Sequence, residues 1–163
     1  MPTSDPLAIL LAHDQWATRQ ILEACAKLPH EQFHRRFEMG PGSLHDTLTH
    51  LLAAKRAWGD MLAGRPERPR LEGTERSPAD LLRLLDEISG ELTAVAHAHP
   101  VTDIVTPTRG GRTYTFTRGG VLTHVTTHGM HHRAQCLNML RQLGVAPLPA
   151  SSVVEWMLMV DTN

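Results

Sequence analysis

His128 and His132 are the residues of this sequence best suited to chemistry, since they stand four residues apart within a helical pattern. On an α-helix they lie about 40° apart on one face, one turn from each other, so both imidazoles can touch the same ion. That face also carries Val121, Val125, Cys136, Met139 and Leu143, which turns the pair toward an apolar core rather than water. Two neutral imidazoles buried side by side leave ring nitrogens unpaired, and a shared cation removes that cost on the side facing it. The ordinary alternative is a solvated pair that steadies a helix surface, and the apolar stripe argues against it. His50, beside Ala54, Ala57 and Met61 at the edge of a second buried stripe, is the natural third ligand, whereas His45 points to the opposite side.

Three neutral nitrogens suit a divalent transition metal, with Zn or Ni first and Fe, Co, Mn or Cu also open; Ca and Mg prefer oxygen. Structural zinc sites normally use four protein ligands. Three ligands plus a water is the catalytic arrangement, in which a bound water or thiol loses its proton near neutral pH. Around the tripod, His124 and His131 flank the same helical face, within reach of a ligand or a substrate. His13 lies about 60° from the centre of the first helix's apolar stripe and is a candidate pocket liner. Asp14 and His124 are candidate general bases, and Arg133 or Arg141 could meet a carboxylate of a bound cofactor. Of the eleven histidines, His30, His34, His97 and His99 fall near helix ends or in loops, where solvated histidine is the usual case.

Four helices must position these groups. The first runs from about Asp5 to Leu28, with Leu7, Leu10, Ala17, Ile21, Ala24 and Leu28 on one stripe, and stops before Pro29. Ser43, with Asp46 three residues on, opens the second as a capping-box variant that continues to Ala63 before Gly64. Ser77-Pro78-Ala79-Asp80 caps the third, which Pro100 closes. The fourth spans Gly119 to Leu143 and ends at Gly144. Between the last two, Asp103 to Thr117 is rich in Thr and Val and holds Arg109-Gly110-Gly111-Arg112, which reads as a short hairpin. Val153 to Met159 forms a short terminal helix after Pro147 and Pro149. The pattern is that of an all-α four-helix bundle, with the hairpin in the long third-to-fourth connection and residues 1–163 forming one domain. The order of the helices around the core stays open.

At 163 residues the chain can bury a core without disulfides. Sixteen Lys and Arg against seventeen Asp and Glu give a net charge of −1, which supplies no summed field for nucleic acid or an anionic membrane. No stretch approaches the roughly 18 to 20 apolar residues of a membrane span, and the N-terminus carries no secretory pattern, so the expectation is a soluble, cytoplasmic protein. The two cysteines, Cys25 and Cys136, fall within apolar helical patterns and read as buried free thiols.

The run His124-Val125-Thr126-Thr127-His128-Gly129-Met130-His131-His132-Arg133-Ala134-Gln135, followed by Met139-Leu140-Arg141-Gln142-Leu143-Gly144, resembles the signature of the DinB/YfiT-like superfamily. So do His13-Asp14-Gln15-Trp16-Ala17, Ser43 to Leu51 and the Gly111 to Phe116 hairpin, in family order through nearly the whole chain. The resemblance implies a four-helix bundle with a long second-to-third crossover, homodimeric in many members, and a divalent metal held by His50, His128 and His132. Members include thiol S-transferases acting with bacillithiol or mycothiol, a mycothiol-dependent maleylpyruvate isomerase, metal-dependent hydrolases and DNA-damage-inducible proteins. The chain departs from the family at Lys55, where members often have Glu, and at Asp14-Gln15, where they often have Asn-x; these changes are expected at the pocket rim.

Three functions compete. A metal-dependent S-transferase would activate a low-molecular-weight thiol toward an electrophile. A hydrolase would activate water against a small hydrolysable substrate, and a stress-response protein would hold the metal without turnover.

Overall fold

The computed structural model describes residues 4–160. In chain order the helices are α1 (Pro6–Cys25), α2 (His30–Phe33), α3 (Leu44–Leu62), α4 (Pro78–His97), α5 (Arg118–Gln142) and α6 (Val153–Val160). Strands β1 (Ile104–Val105), β2 (Thr108–Arg109), β3 (Arg112–Thr113) and β4 (Phe116–Thr117) fill the α4–α5 connection. Both α1 and α3 pack against α4 and α5, which places α1 diagonally across the bundle from α3. This order was not readable from the periodicity, and it makes α3 and α5, the two histidine-bearing helices, direct neighbours.

The helix starts follow capping chemistry. Asp5 accepts from Leu7 and Ala8 N–H, with Pro6 at the first helical position. Ser43 accepts from Asp46 N–H at 3.0 Å, and Ser77 with Asp80 forms a reciprocal capping box. Thr117 caps α5, one residue earlier than the pattern predicts. The α1 helix ends sooner than expected, because Lys27 and Leu28 donate to Ala24 and Cys25 and tighten the chain before Pro29. The single turn α2 was not foreseen. Arg118, which is buried, donates to Leu62 O at 2.9 Å and Val95 O at 2.7 Å and so satisfies carbonyls at the ends of α3 and α4.

The hairpin is two short ladders rather than one. Thr108 pairs with Thr113 and Arg109 with Arg112 around Gly110 and Gly111, whose φ values of 55° and 74° suit the tight turn. Farther out, Ile104 pairs with Thr117 and Val105 with Phe116. Pro107, which has no N–H, interrupts the ladder and instead accepts from Tyr114 N–H at 2.9 Å.

Ile21, Leu22, Leu48, Leu52, Leu85, Met139 and Leu140 are among the fully buried side chains of the larger core cluster, and Leu62, Leu92, Val121 and Val125 belong to a second. Between these apolar layers lies a charged one. Lys55 Nζ stands 2.5 Å from Asp14 Oδ2 and donates to Ser89 Oγ at 3.3 Å, while Arg133 Nη1 pairs with Asp14 Oδ1. Asp14, Lys55, Ser89 and Arg133 come from α1, α3, α4 and α5, and each is at most 4% exposed. Gly129 makes room for the cluster, since a Cβ there would collide with the Asp14 carboxylate. Removing the one anion leaves two cations facing each other without water, a change worth about 3–5 kcal/mol. Asp14→Ala is therefore expected to destabilise the protein by about that amount in urea denaturation; a loss under 1 kcal/mol would show that the cluster does not hold the bundle together.

Candidate metal centre

His50 comes from α3 and His128 and His132 from successive turns of α5, and the structure brings all three together. Their ring centroids lie 5.3 Å (His50–His128), 4.8 Å (His50–His132) and 4.4 Å (His128–His132) apart. One nitrogen from each falls within 4.8 Å of the others, and among the described residues no further thiol, carboxylate or imidazole joins the group. His132 Nε2 and His128 Nε2 are 3.1 Å apart.

The outer nitrogens decide which atoms face inward. His132 Nδ1 donates to Gln135 Oε1 at 2.8 Å, and Gln135 Nε2 in turn donates to His131 Nε2 at 3.3 Å. His50 Nδ1 donates to Glu72 Oε1 at 3.3 Å. With protons held on both Nδ1 atoms, the Nε2 atoms are left as acceptors, which is the tautomer that binds a metal. Glu72 is firmly anionic, because hydrogen bonds from Arg70 hold its carboxyl down at about 2. Gly40, at φ 49°, lets the α2–α3 loop lie against Gln135, where any Cβ would strike the amide. Burial, then the neighbouring imidazoles, lowers His128 to about 4. Burial also lowers His132, against the hydrogen bond to Gln135 that raises it. The donor set thus fits a divalent transition metal, with three imidazoles on two helices and the outer nitrogens of His50 and His132 already engaged.

The other candidate residues divide. His124 stands beside the cluster, its ring 5.7 Å from His128 and 5.2 Å from Trp58. With Trp58, Phe116 and Val121 it lines an open cleft of about 500 Å³. His131 supports Gln135 from the exposed side. His13 is not a liner of this pocket: its Nε2 donates to Ser151 O at 2.9 Å and its ring packs near Trp16 and Trp156, so it fastens the chain before α6 onto α1. Asp14 is not available as a base. Burial alone would raise its pKa, but Lys55 and Arg133 together hold it below the usual carboxylate value. Arg133 is likewise committed to Asp14 and is buried, so it cannot reach a cofactor, while Arg141 is exposed on the surface. Lys55 is not at a rim either, and the two departures noted at Asp14 and Lys55 prove to be partners of each other.

His45 is buried away from the three, donating from Nδ1 to Asp46 and accepting at Nε2 from Arg76 N–H. Cys25 and Cys136 are free and buried, and burial pushes the Cys25 thiol up to about 12 and Cys136 well above its ordinary value, so neither is a nucleophile. Sequence reasoning missed Glu72, which sits in a polar crossover without periodicity. Gln135 had a signal, because it stands three residues after His132 on the same helix.

Residues 1–157 match the sequence profile of the DinB family. The chain belongs to that family. Protein DinB of Bacillus subtilis (strain 168) is 26% identical over 152 residues, covering 86% of this chain and 87% of that protein. The crystal structure of a DinB-like protein from Bacillus subtilis (YjoA) superposes with a TM-score of 0.63 at 15% identity, over 88% of this chain and 97% of that one. That likeness establishes the DinB-like fold. No helix of residues 4–160 is long and apolar enough to cross a membrane.

The lowered His128 has a consequence for the metal-free protein. An unfolded histidine titrates near pH 6.5, so between that value and about 4 the folded state binds fewer protons there than the unfolded one. The stability from neutral His128 is present above about pH 6.5 and is lost as pH falls toward 4. Metal-stripped protein is expected to show a falling Tm across that window, and His128→Ala should flatten the slope; an unchanged slope would place the titration elsewhere.

Proposed function

We propose that this DinB-family protein binds one divalent transition metal, Zn or Ni, through Nε2 of His50, His128 and His132, and transfers a low-molecular-weight thiol to an electrophile. The observation that carries this reading is a three-nitrogen cluster with no fourth protein ligand among the described residues, bordered at His124 by an aromatic cleft. A metal held by three imidazoles lowers the pKa of a thiol or water that reaches its open side.

The chain's own residues supply the rest. Glu72 and Gln135 keep the His50 and His132 rings aimed inward, so that little reorganisation accompanies binding. Trp58, Phe116 and Val121 offer an apolar wall to the organic part of the electrophile. The thiol sulfur forms a bond to the electrophilic carbon, the leaving group departs with the electron pair, and the thiol proton passes to solvent or to His124.

Thiol transfer is favoured over hydrolysis because the only carboxylate among the candidate bases, Asp14, is sealed in an ion pair. Hydrolysis has one observation in its favour, since His124 faces the cleft and could serve as its base.

Purified protein is expected to retain about one transition-metal ion per chain by mass-spectrometric metal analysis. His128→Ala should lose it, and full occupancy in that variant would sink the tripod. Metal-loaded protein mixed with an aryl halide and a panel of bacterial thiols should show conjugation that stops on chelation. Silence across the panel, with metal-dependent ester cleavage proceeding, would replace the transferase by the hydrolase.

A further inference from the structure

His30 and His34 fall near the first loop, where solvated histidine is the usual case, and the structure stacks them on each other. His30 opens the one-turn helix α2 and His34 follows it, four residues apart, with their rings stacked at 4.3 Å. Glu75 arrives from the α3–α4 crossover, its Oε1 2.7 Å from His30 Nε2 and 3.8 Å from His34 Nε2. One ligand atom from each of the three lies within 4.8 Å of the others. We infer that His30, His34 and Glu75 form a second divalent-cation site, separate from the His50 tripod.

The geometry differs from a plain surface ion pair in two respects. First, both imidazoles address the same carboxylate oxygen, whereas a salt bridge needs only one. Two nitrogens and one anionic oxygen make a donor set for borderline cations such as Zn, Ni, Co or Cu, and a poor one for Ca or Mg. Second, His34 is fixed by packing. Its ring stacks on buried His45 at 4.6 Å and meets buried Phe33 edge-on at 5.3 Å. His45 is anchored in turn by Asp46 and the Arg76 backbone. A held ligand loses less freedom when it binds, which offsets part of the cost of ordering the more exposed His30 and Glu75.

The site opens onto a cleft of about 240 Å³ between α2 and the start of α4, with room for waters to complete the coordination. Its exposure makes it the weaker and more labile of the two sites. It also has a mechanical meaning, because a cation there ties α2 to the same crossover that delivers Glu72 to His50, three residues before Glu75.

The test uses tag-free, full-length His50→Ala/His128→Ala protein, which lacks the tripod, titrated with Zn or with Co followed by its visible spectrum. One saturable equivalent should bind, with spectral bands of mixed nitrogen and oxygen coordination, unaffected by millimolar Mg. Adding His34→Ala or Glu75→Gln should weaken binding at least tenfold, and His97→Ala should leave it unchanged. If the double variant does not fold by circular dichroism, the same titration is made on protein with its tripod already filled, where His34→Ala should remove only the second equivalent. No saturable binding beyond the tripod, or binding indifferent to His34 and Glu75, overturns the inference. Neither result bears on the tripod, which is read from the ion that wild-type protein retains.

Discussion

The ion cluster of Asp14, Lys55 and Arg133 is the constraint on which the rest of the bundle depends. Apolar faces specify burial but tolerate rotation about a helix axis, since one Leu replaces another at little cost. A buried carboxylate between two cations does not tolerate it, because any rotation that separates them leaves a charge without water or partner. With Ser89, which accepts from Lys55, the cluster takes a side chain from each of the four long helices and thereby fixes their relative rotation. Arg133 directly follows His132, and Gly129 directly follows His128. Locking Arg133 and Gly129 toward α1 consequently turns the two histidines toward α3, where His50 stands.

From there the histidines are set by what holds their outer nitrogens. An imidazole in a core can face its neighbour with either nitrogen, and only one choice offers a lone pair to a cation. Glu72 and Gln135 make that choice at two of the three rings. Each supporter is itself held, Glu72 by Arg70 at 2.7 Å and Gln135 by the Gly40 loop and His131. The cluster therefore has a shape before anything binds, and its cost is met by the fold rather than by the ligand.

What the sequence made legible and what it did not separate along physical lines. The i, i+4 pair at His128 and His132 and the stripe beside His50 were readable because helical phase is a property of local sequence. Ser43, Ser77 and Pro78 marked helix starts for the same reason. Helix order was not readable, because amphipathic stripes say that faces are buried and not which faces meet. That gap explains the misplacement of Asp14, Arg133 and His13. The role of each depends on a partner far away in the chain: Lys55 and Arg133 for Asp14, Asp14 for Arg133, and the Ser151 carbonyl for His13. Charge alone hinted at the Asp14–Lys55 pairing, since both departures from the family pattern fall where a carboxylate on one helix could answer an ammonium on another.

The remaining division is between the parts that hold and the parts that select. The three imidazoles sit on long helices rooted in the ion cluster, whereas Phe116, which forms part of the cleft wall, sits on β4 of a hairpin two residues wide at each ladder. Strands this short have little stability of their own and take their position from Thr117, which ends β4 and caps α5 in the same residue. Arg109 of that hairpin lies 4.9 Å over the Trp58 ring, adding a cation to the aromatic wall. Residues 104–117 can therefore vary in length and side chain, and so reshape the cleft, without disturbing any contact that aims His50, His128 or His132. On the function proposed above, a fold arranged in this way keeps one chemistry while it changes substrates, because the groups that line the cleft are not the groups that orient the histidines.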